Sequence, residues 1–298
     1  MVVAVISFGL VHFAPGDPAA ALLGPDASEE ELARVRASLG LDKPLWQQFV
    51  YWVSGALRGD LGRSYFSGEP VTAMILGRLE PTLLLAGMSL FIALLIGIPA
   101  GVLSAVYRNS WLDQGILVVS LLGISMPNFW LGINLILLFA VTWQIFPVAG
   151  YVQLAEGWTE TLRHLATPAL ALGIGQAAIV TRITRTSTLE MLRQDFVRTA
   201  HAKGVGYWRV IGWHVLRNAL IPILTVVGVV VAVLLGGSIV IETVFNLPGI
   251  GRLVITAVQR RDYPVIQGVV LFVTTAYVLL NLLIDLIYAV LDPRIKYG

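Results

Sequence analysis

The chain has 298 residues, of which 57% are hydrophobic and only 13% charged, with a net charge of +2. That composition lies outside the range of soluble domains and puts the chain in a membrane. Cysteine is absent, which excludes disulfides, thiolate metal sites and cysteine nucleophiles. His12, His164, His201 and His214 are too scattered to suggest a metal site by spacing.

The opening stretch "MVVAVISFGLVHFA", residues 1–14, provides only about 21 Å of helix before Pro15, short of a hydrocarbon core about 30 Å thick. It reads as the remnant of a first transmembrane helix, not as a secretory signal, because no basic segment precedes it and no small-residue cleavage site follows. Residues 15–80 are too polar to span and are expected outside the cell membrane, packed on the helices. Within them "PGDPAAALLGPDA" reads as turns and "SEEELARVRASLG" as a short helix. Ser28 caps that helix, Glu29 to Glu31 favour its positive end, and Gly40 stops it. "WQQFVYWVSGALRGDLGRS" reads as a second helix with an aromatic face suited to the membrane interface.

Uncharged segments long enough to cross a bilayer follow near 82–106, 114–143, 165–181, 219–241 and 264–284. The predicted fold class is all-α: a polytopic helical bundle with six spans in the intact protein, the first truncated here, a membrane core over 81–291 and a short tail over 292–298. In the second of these segments Pro127 and Asn128 sit at mid-span, where proline removes a backbone bond; a plain kink and a cavity-lining bend are both open. Gln176 reads as a helix-to-helix hydrogen-bonding group, Gly236-Gly237 as a close packing contact, and Asp285 as a structurally paired carboxylate near one end of the last span.

The stretch "DFVRTAHAKGVGYWRVIGWHVLRNALIPI" stands out because it gathers Arg198, Lys203, Arg209 and Arg217 with several aromatics. Residues 187–197 can extend the preceding span as helix, Gly204 can take positive φ cheaply and stop it, and Tyr207, Trp208, Ile211 and Val215 then recur at helical spacing. The expected shape over 187–218 is helix, turn, helix. Thr199 and Ala200 form a small-residue surface that allows close approach. From periodicity and charge alone the loop fits anionic lipid head groups or a protein partner. Beyond the fourth long segment "NLPGIGRL" reads as a turn and "VITAVQRRDY" as a short helix, with Arg260, Arg261 and Asp262 beside the entry to the last span.

Lysine and arginine are densest around Arg108, over Arg182 to Arg217, and at Arg294 and Lys296. Elsewhere they are diluted by acids such as Glu29, Glu30, Glu31, Asp60 and Glu69. The positive-inside rule therefore puts both termini and the basic loop in the cytoplasm.

Several motifs occur in one order: "PGDPA" at 15–19, "LGLDKP" at 39–44, "GDLGRS" at 59–64, "DFVRTAHAKG" at 195–204, "HVLRNALIP" at 214–222, "ETVFNLPGIG" at 242–251, "RDYPVIQG" at 261–268 and "LDPRIKYG" at the end. Along nearly the whole chain this wording resembles permease subunits of binding-protein-dependent (type I) ABC importers, in their dipeptide, oligopeptide and nickel branch. In that family a cytoplasmic signature loop begins E-A-A and carries a glycine; its first positions fall here on Arg198, Thr199 and Ala200, and its glycine on Gly204.

The resemblance implies a second homologous permease, two cytoplasmic ATPases that bind ATP and Mg, and an extracytoplasmic solute-binding protein. It also implies that the loop holds a coupling helix seated in a groove of the ATPase, with Lys203 and Arg198 meeting acids there and Tyr207 or Trp208 anchoring in a pocket. Arg260, Arg261 and Asp262 then become candidates for contact with the binding protein or the passing solute; plain anchoring at the membrane edge is the alternative. Peptides are the implied cargo, with nickel chelates, glutathione and short sugars as alternatives within the family. No bound cofactor, catalytic residue, metal site or nucleic-acid partner is implied for this chain, and the location is the cytoplasmic membrane. The sequence holds no G-x-x-x-x-G-K-[ST] loop, so ATP belongs to another subunit. A secondary transporter or channel is the rival class, and would show paired broken helices, an internal repeat or several buried charges. An intramembrane enzyme would need a nucleophile with its base at depth.

Overall fold

The computed structural model describes residues 2–13, 16–24 and 26–291, and among them no β-strand forms; an antiparallel bridge joins Arg63 and Pro70. The Asp285 side chain and the tail 292–298 lie outside the described residues. Four continuous helical stretches are long and apolar enough to cross a membrane: Val71–Val106, Trp158–Leu192, Tyr207–Val244 and Tyr263–Ile284. A fifth crossing requires the bent pair Trp111–Ser125 and Asn128–Thr142 to count as one. The chain divides into two compact units, Met1–Glu80 with Pro248–Leu279, and Pro81–Leu247 with Leu280–Gly298.

In the first unit α1 (Val2–Phe13) leaves Val5 and Ile6 exposed, while Phe8 is buried against Phe49 and Trp52 of α4 (Leu45–Ala56). The stretch read as turns contains a helix, α2 (Pro18–Leu23): Pro18 opens it and the Asp17 carboxylate accepts from the Ala19 N–H at 2.9 Å. Asp17 also holds Arg36 of α3 (Glu29–Ser38), the helix whose start carries the full Ser28/Glu31 capping box. A compact apolar core joins α5 (Val71–Leu76), α13 (Ile250–Arg260) and the start of α14 (Tyr263–Leu291) through Val71, Ile75, Leu253, Ala257, Val265 and Val269.

The second unit is organised around α9 (Trp158–Leu192), a helix of 35 residues, well beyond the segment 165–181 that hydropathy alone marks out. Charged residues at its ends hide those turns from a hydropathy window. Leu165, Leu172 and Val180 of α9 are buried with Leu85 of α6 (Leu79–Val106) and Val230, Leu234 and Ile241 of α12 (Leu216–Val244). The α6–α9 contact is backbone to backbone. A Cβ at Gly101 would fall 2.6 Å from the Thr181 carbonyl oxygen, one at Gly97 2.8 Å from that of Ala177, and one at Gly173 2.9 Å from that of Ser89. Gly97 and Gly101 form the G-x-x-x-G pattern that lets apolar helices approach closely. At Gly236 and Gly237, read as a packing contact, an added Cβ would meet nothing within 4 Å among the described residues, so no close approach within this chain requires glycine there.

The segment expected as one span near 114–143 is broken outright. α7 (Trp111–Ser125) and α8 (Asn128–Leu135, continuing as π-helical turns to Thr142) meet at 102°. Met126 (ψ 128°) and Pro127 (ψ 133°) are both extended, because a residue before proline is driven out of the helical region and Pro127 cannot donate to the preceding turn. Asn128 starts the new helix, with its amide oxygen 3.0 Å from where a Cβ on Gly175 would lie. The bend is therefore packed on α9 rather than answered by hydrogen bonds from Asn128. Gln176, expected to bond between helices, has a buried Oε1 with no hydrogen-bond partner among the described residues.

Candidate functional site

The basic loop folds into an elbow at the end of α9. The helix does not run on through 197: it stops at Leu192, Gln194 turns extended (ψ 151°), and α10 (Asp195–Ala202) starts afresh. α10 then ends in a Schellman motif. The Val205 N–H reaches back to the Ala200 carbonyl at 3.1 Å, and the Gly204 N–H to that of His201 at 2.9 Å, with Gly204 at φ +77°. A Cβ at Gly204 would meet nothing within 4 Å, so glycine is required by backbone conformation and not by crowding.

The second arm, α11 (Tyr207–Arg209), passes through π-helical turns over Val210–Val215 straight into α12, with Pro222 inside that helix. Wider π turns admit an extra residue, and here they bring Val210, Ile211 and Val215 inward. Val197, Ala200, Val210 and Val215 form a small core with Met191, Leu192 and Val205, which fastens both arms to the last turn of α9. Each fully buried valine is worth about 1.5–3 kcal/mol.

Ala200 therefore belongs to the inside of the elbow, and the correction follows from helical phase: Val197 and Ala200, three apart, share the inward face. The outward face carries Phe196, Arg198, Thr199, His201, Ala202, Lys203, Tyr207 and Trp208. Thr199 turns its hydroxyl back to the Asp195 carbonyl at 3.0 Å, so it presents mainly its methyl group. Among the described residues Arg198 pairs only with the exposed Asp195, at 3.5 Å, a loose contact that leaves it available to a partner. His201 stacks on Tyr207 with ring centroids 6.0 Å apart, and Tyr207 meets Trp208 edge to face at 5.6 Å. Tyr207 and Trp208 are 47% and 56% exposed, so both rings are open to a neighbour. His201 belongs to this aromatic ridge, and Phe196 is exposed on the same helix; both lie within "DFVRTAHAKG", where sequence reading singled out the cations and small residues instead.

Seven residues before the end of α9, roughly 10 Å along its axis, Arg185 makes two parallel hydrogen bonds of 2.8 Å to the Asp113 carboxylate of α7. Ser104 of α6 donates its hydroxyl to the same carboxylate, and the Asn109 N–H adds a bond of 2.9 Å. Asp113 is 3% exposed in its side chain. This clamp ties α6, α7 and α9 together beside the elbow. The sequence reading counts Arg185 only among the loop cations; the signal lay in Asp113, a lone acid just after the helix-capping Ser110.

The other three candidates, in the first unit, separate. Arg260 is exposed at the end of α13. Arg261, in the left-handed region at φ +58°, lays its guanidinium on Gly16. Asp262 is buried and does not face a partner: it accepts from the Ser64 hydroxyl and from the Tyr65 N–H at 3.0 Å, pinning the 62–70 loop to the corner between α13 and α14. Burial first, and the Asp262 carboxylate second, push the Tyr65 phenol up to about 12. Among the described residues no three His, Asp or Glu side chains converge as metal ligands would.

Residues 97–297 match the family model described as "Binding-protein-dependent transport system inner membrane component", and residues 1–86 match its N-terminal counterpart. A probable peptide ABC transporter permease protein of Sinorhizobium fredii is 44% identical over 99% of this chain and 94% of its own length. The glutathione transport system permease protein of Escherichia coli is 44% identical, and the dipeptide transport system permease protein of the same species 43%, each over 99% of this chain and 94% of the relative. In fold the chain is similar to the inward-facing MetNI methionine ABC transporter, with a TM-score of 0.64 and 19% identity over 75% of this chain and 99% of that one. The chain belongs to the binding-protein-dependent transport system inner membrane components, a family of multi-pass permease subunits.

Proposed function

We propose that this chain is one permease subunit of an ATP-driven importer that carries short peptides across the cytoplasmic membrane, coupled through its elbow to separate ATPase subunits. The observation that carries the reading is the elbow itself. An exposed ridge of Tyr207, Trp208, Lys203 and Arg198 is built on a small core clasped to the end of a membrane helix, a form suited to receiving force from a protein and passing it on. Lipid head groups would be served by the cations alone, without stacked rings or a rigid base.

In this reading both termini and the elbow face the cytoplasm, as cation density indicates, and residues 15–80 lie outside. A second, homologous permease completes the path. Two ATPases supply nucleotide and Mg binding, and a solute-binding protein delivers cargo; the chain itself is non-catalytic. The names of the relatives support peptide cargo, and one of them, named for glutathione, keeps that tripeptide as the alternative.

Reconstitution tests it. The permease pair, ATPases and binding protein in proteoliposomes are expected to accumulate a di- or tripeptide only with ATP, and Trp208→Ala with Tyr207→Ala to lower ATPase capture in co-purification. Peptide uptake by the permease without any ATPase would refute the reading in favour of a secondary transporter.

A further inference from the structure

The first unit contains an open cleft of about 360 Å³, between the 62–70 loop, α5 and α13. This is at the small end of the size range of ligand sites. Its floor is apolar, formed by Met74, Leu253 and Val265 of the local core. Arg252 of α13, which is engaged in an interaction of its own, lines the cleft, as do Arg78, two residues past α5, and Arg260, at the end of α13, together with Glu69. Neither the Arg78 nor the Arg260 guanidinium forms an ion pair with Glu69 or with any other carboxylate among the described residues. Arg78 spends one N–H on the Met74 carbonyl at 3.0 Å, which holds its side chain in place. The remaining acid in the lining, Asp262, is occupied by Ser64 and Tyr65 and serves the loop.

Charges of both signs that share one cleft without neutralising each other are the complement of a molecule that carries both signs itself. An extended dipeptide holds its ammonium and carboxylate about 7 Å apart at roughly 3.5 Å per residue, a separation that a direct ion pair cannot match. The apolar floor suits the side chains between those termini. We propose that this cleft binds short zwitterionic solutes, with the carboxylate at Arg260 and Arg78 and the ammonium at Glu69. The proposal rests on the peptide-importer reading and adds to it a docking point on the permease itself. Guanidinium is the fitting cation, because it grips a carboxylate with two parallel N–H bonds, where lysine offers a point charge.

The test uses the complete permease–ATPase assembly in nanodiscs of neutral lipid, without the solute-binding protein, and measures binding of the dipeptide Ala-Phe by saturation-transfer NMR. Ala-Phe is expected to bind about tenfold more tightly than its C-terminal amide and than its N-acetyl derivative, one charge-assisted contact being lost in each. Arg260→Gln is expected to erase the preference for acid over amide, and Glu69→Gln the preference for free amine over acetyl. Both residues are exposed, so the variants fold; Arg260→Lys should restore only part of the acid preference.

Equal binding of acid, amide and acetyl forms overturns the proposal. Unchanged dipeptide binding by Arg260→Gln with weakened capture of the solute-binding protein also overturns it, and makes the cleft a receptor for a protein carboxylate. Uptake of Ala-Phe by the unaltered assembly with its binding protein, measured in parallel, separates the two readings. Uptake without any acid preference sinks the cleft alone, whereas absence of uptake for every peptide sinks the peptide reading.

Discussion

Replacing Gly204 tests the coupling role most directly, because structure fixes both the size and the cause of the effect. The residue sits at φ +77° as the left-handed cap of α10, and a Cβ there meets open space, so the cost of a side chain is purely one of backbone conformation. For an ordinary L-residue that cost is about 1–2 kcal/mol, or roughly a 5- to 30-fold loss in the population of the closed elbow. Valine, β-branched, is a sharper outlier in this region, whereas asparagine tolerates it.

The cap also sets the small core. Only with Gly204 left-handed does Val205 fold back on Ala200 and Val197, so loss of the turn loosens both arms. The assay is solute moved per ATP hydrolysed, in proteoliposomes holding the whole assembly. Coupling is expected to fall in the order glycine, asparagine, alanine, valine, with protein levels in the membrane held constant. Normal coupling in Gly204→Val refutes the role assigned to the elbow. Equal loss in the asparagine and valine variants refutes the conformational cause and points to crowding against a partner.

Two further predictions concern the second unit. Asp113→Ala leaves the Arg185 guanidinium without its partner in a buried setting and is expected to destabilise by about 3–5 kcal/mol, read as a fall in thermal midpoint in detergent; a double variant that also replaces Arg185 with leucine should recover part of the loss. No destabilisation in the single variant would show that the pair is not needed for stability. Gly101→Val forces a side chain onto the Thr181 carbonyl and is expected to cost about 1–3 kcal/mol, whereas Gly236→Ala, with nothing within 4 Å, should be neutral or better. Protease sensitivity of membranes carrying each variant distinguishes them, and identical behaviour would refute the α6–α9 contact.

What could be read from the sequence was local. Ser28 with Glu31 three residues on announces a capped helix, and a glycine after "RTAHAK" announces a left-handed stop; each depends on a few neighbouring residues. What could not be read depends on pairing across distance. The Arg185–Asp113 clamp joins positions 72 apart, and nothing near either residue names the other. Gly236-Gly237 looked like a packing pair because adjacent glycines attract notice, yet the chain packs through "GIPAG" at 97–101, spaced by one helical turn. Hydropathy found the greasy middle of α9 but not its charged ends, and the 102° break after Ser125 exceeds any kink that a single proline suggests. In the first unit, Asp262 looked exposed by its company of two arginines; burial and two hydrogen bonds give it a structural task instead.

The length of α9 has a mechanical consequence. At about 1.5 Å per residue its 35 residues run roughly 52 Å, against a hydrocarbon core of about 30 Å. α6 lies on it backbone to backbone and Arg185 pins it to α7, with Pro168 as the interruption in its backbone bonding. In the coupling role proposed for the elbow, a push received at Leu192 would therefore load three helices together, with the surplus length of α9 as the lever arm.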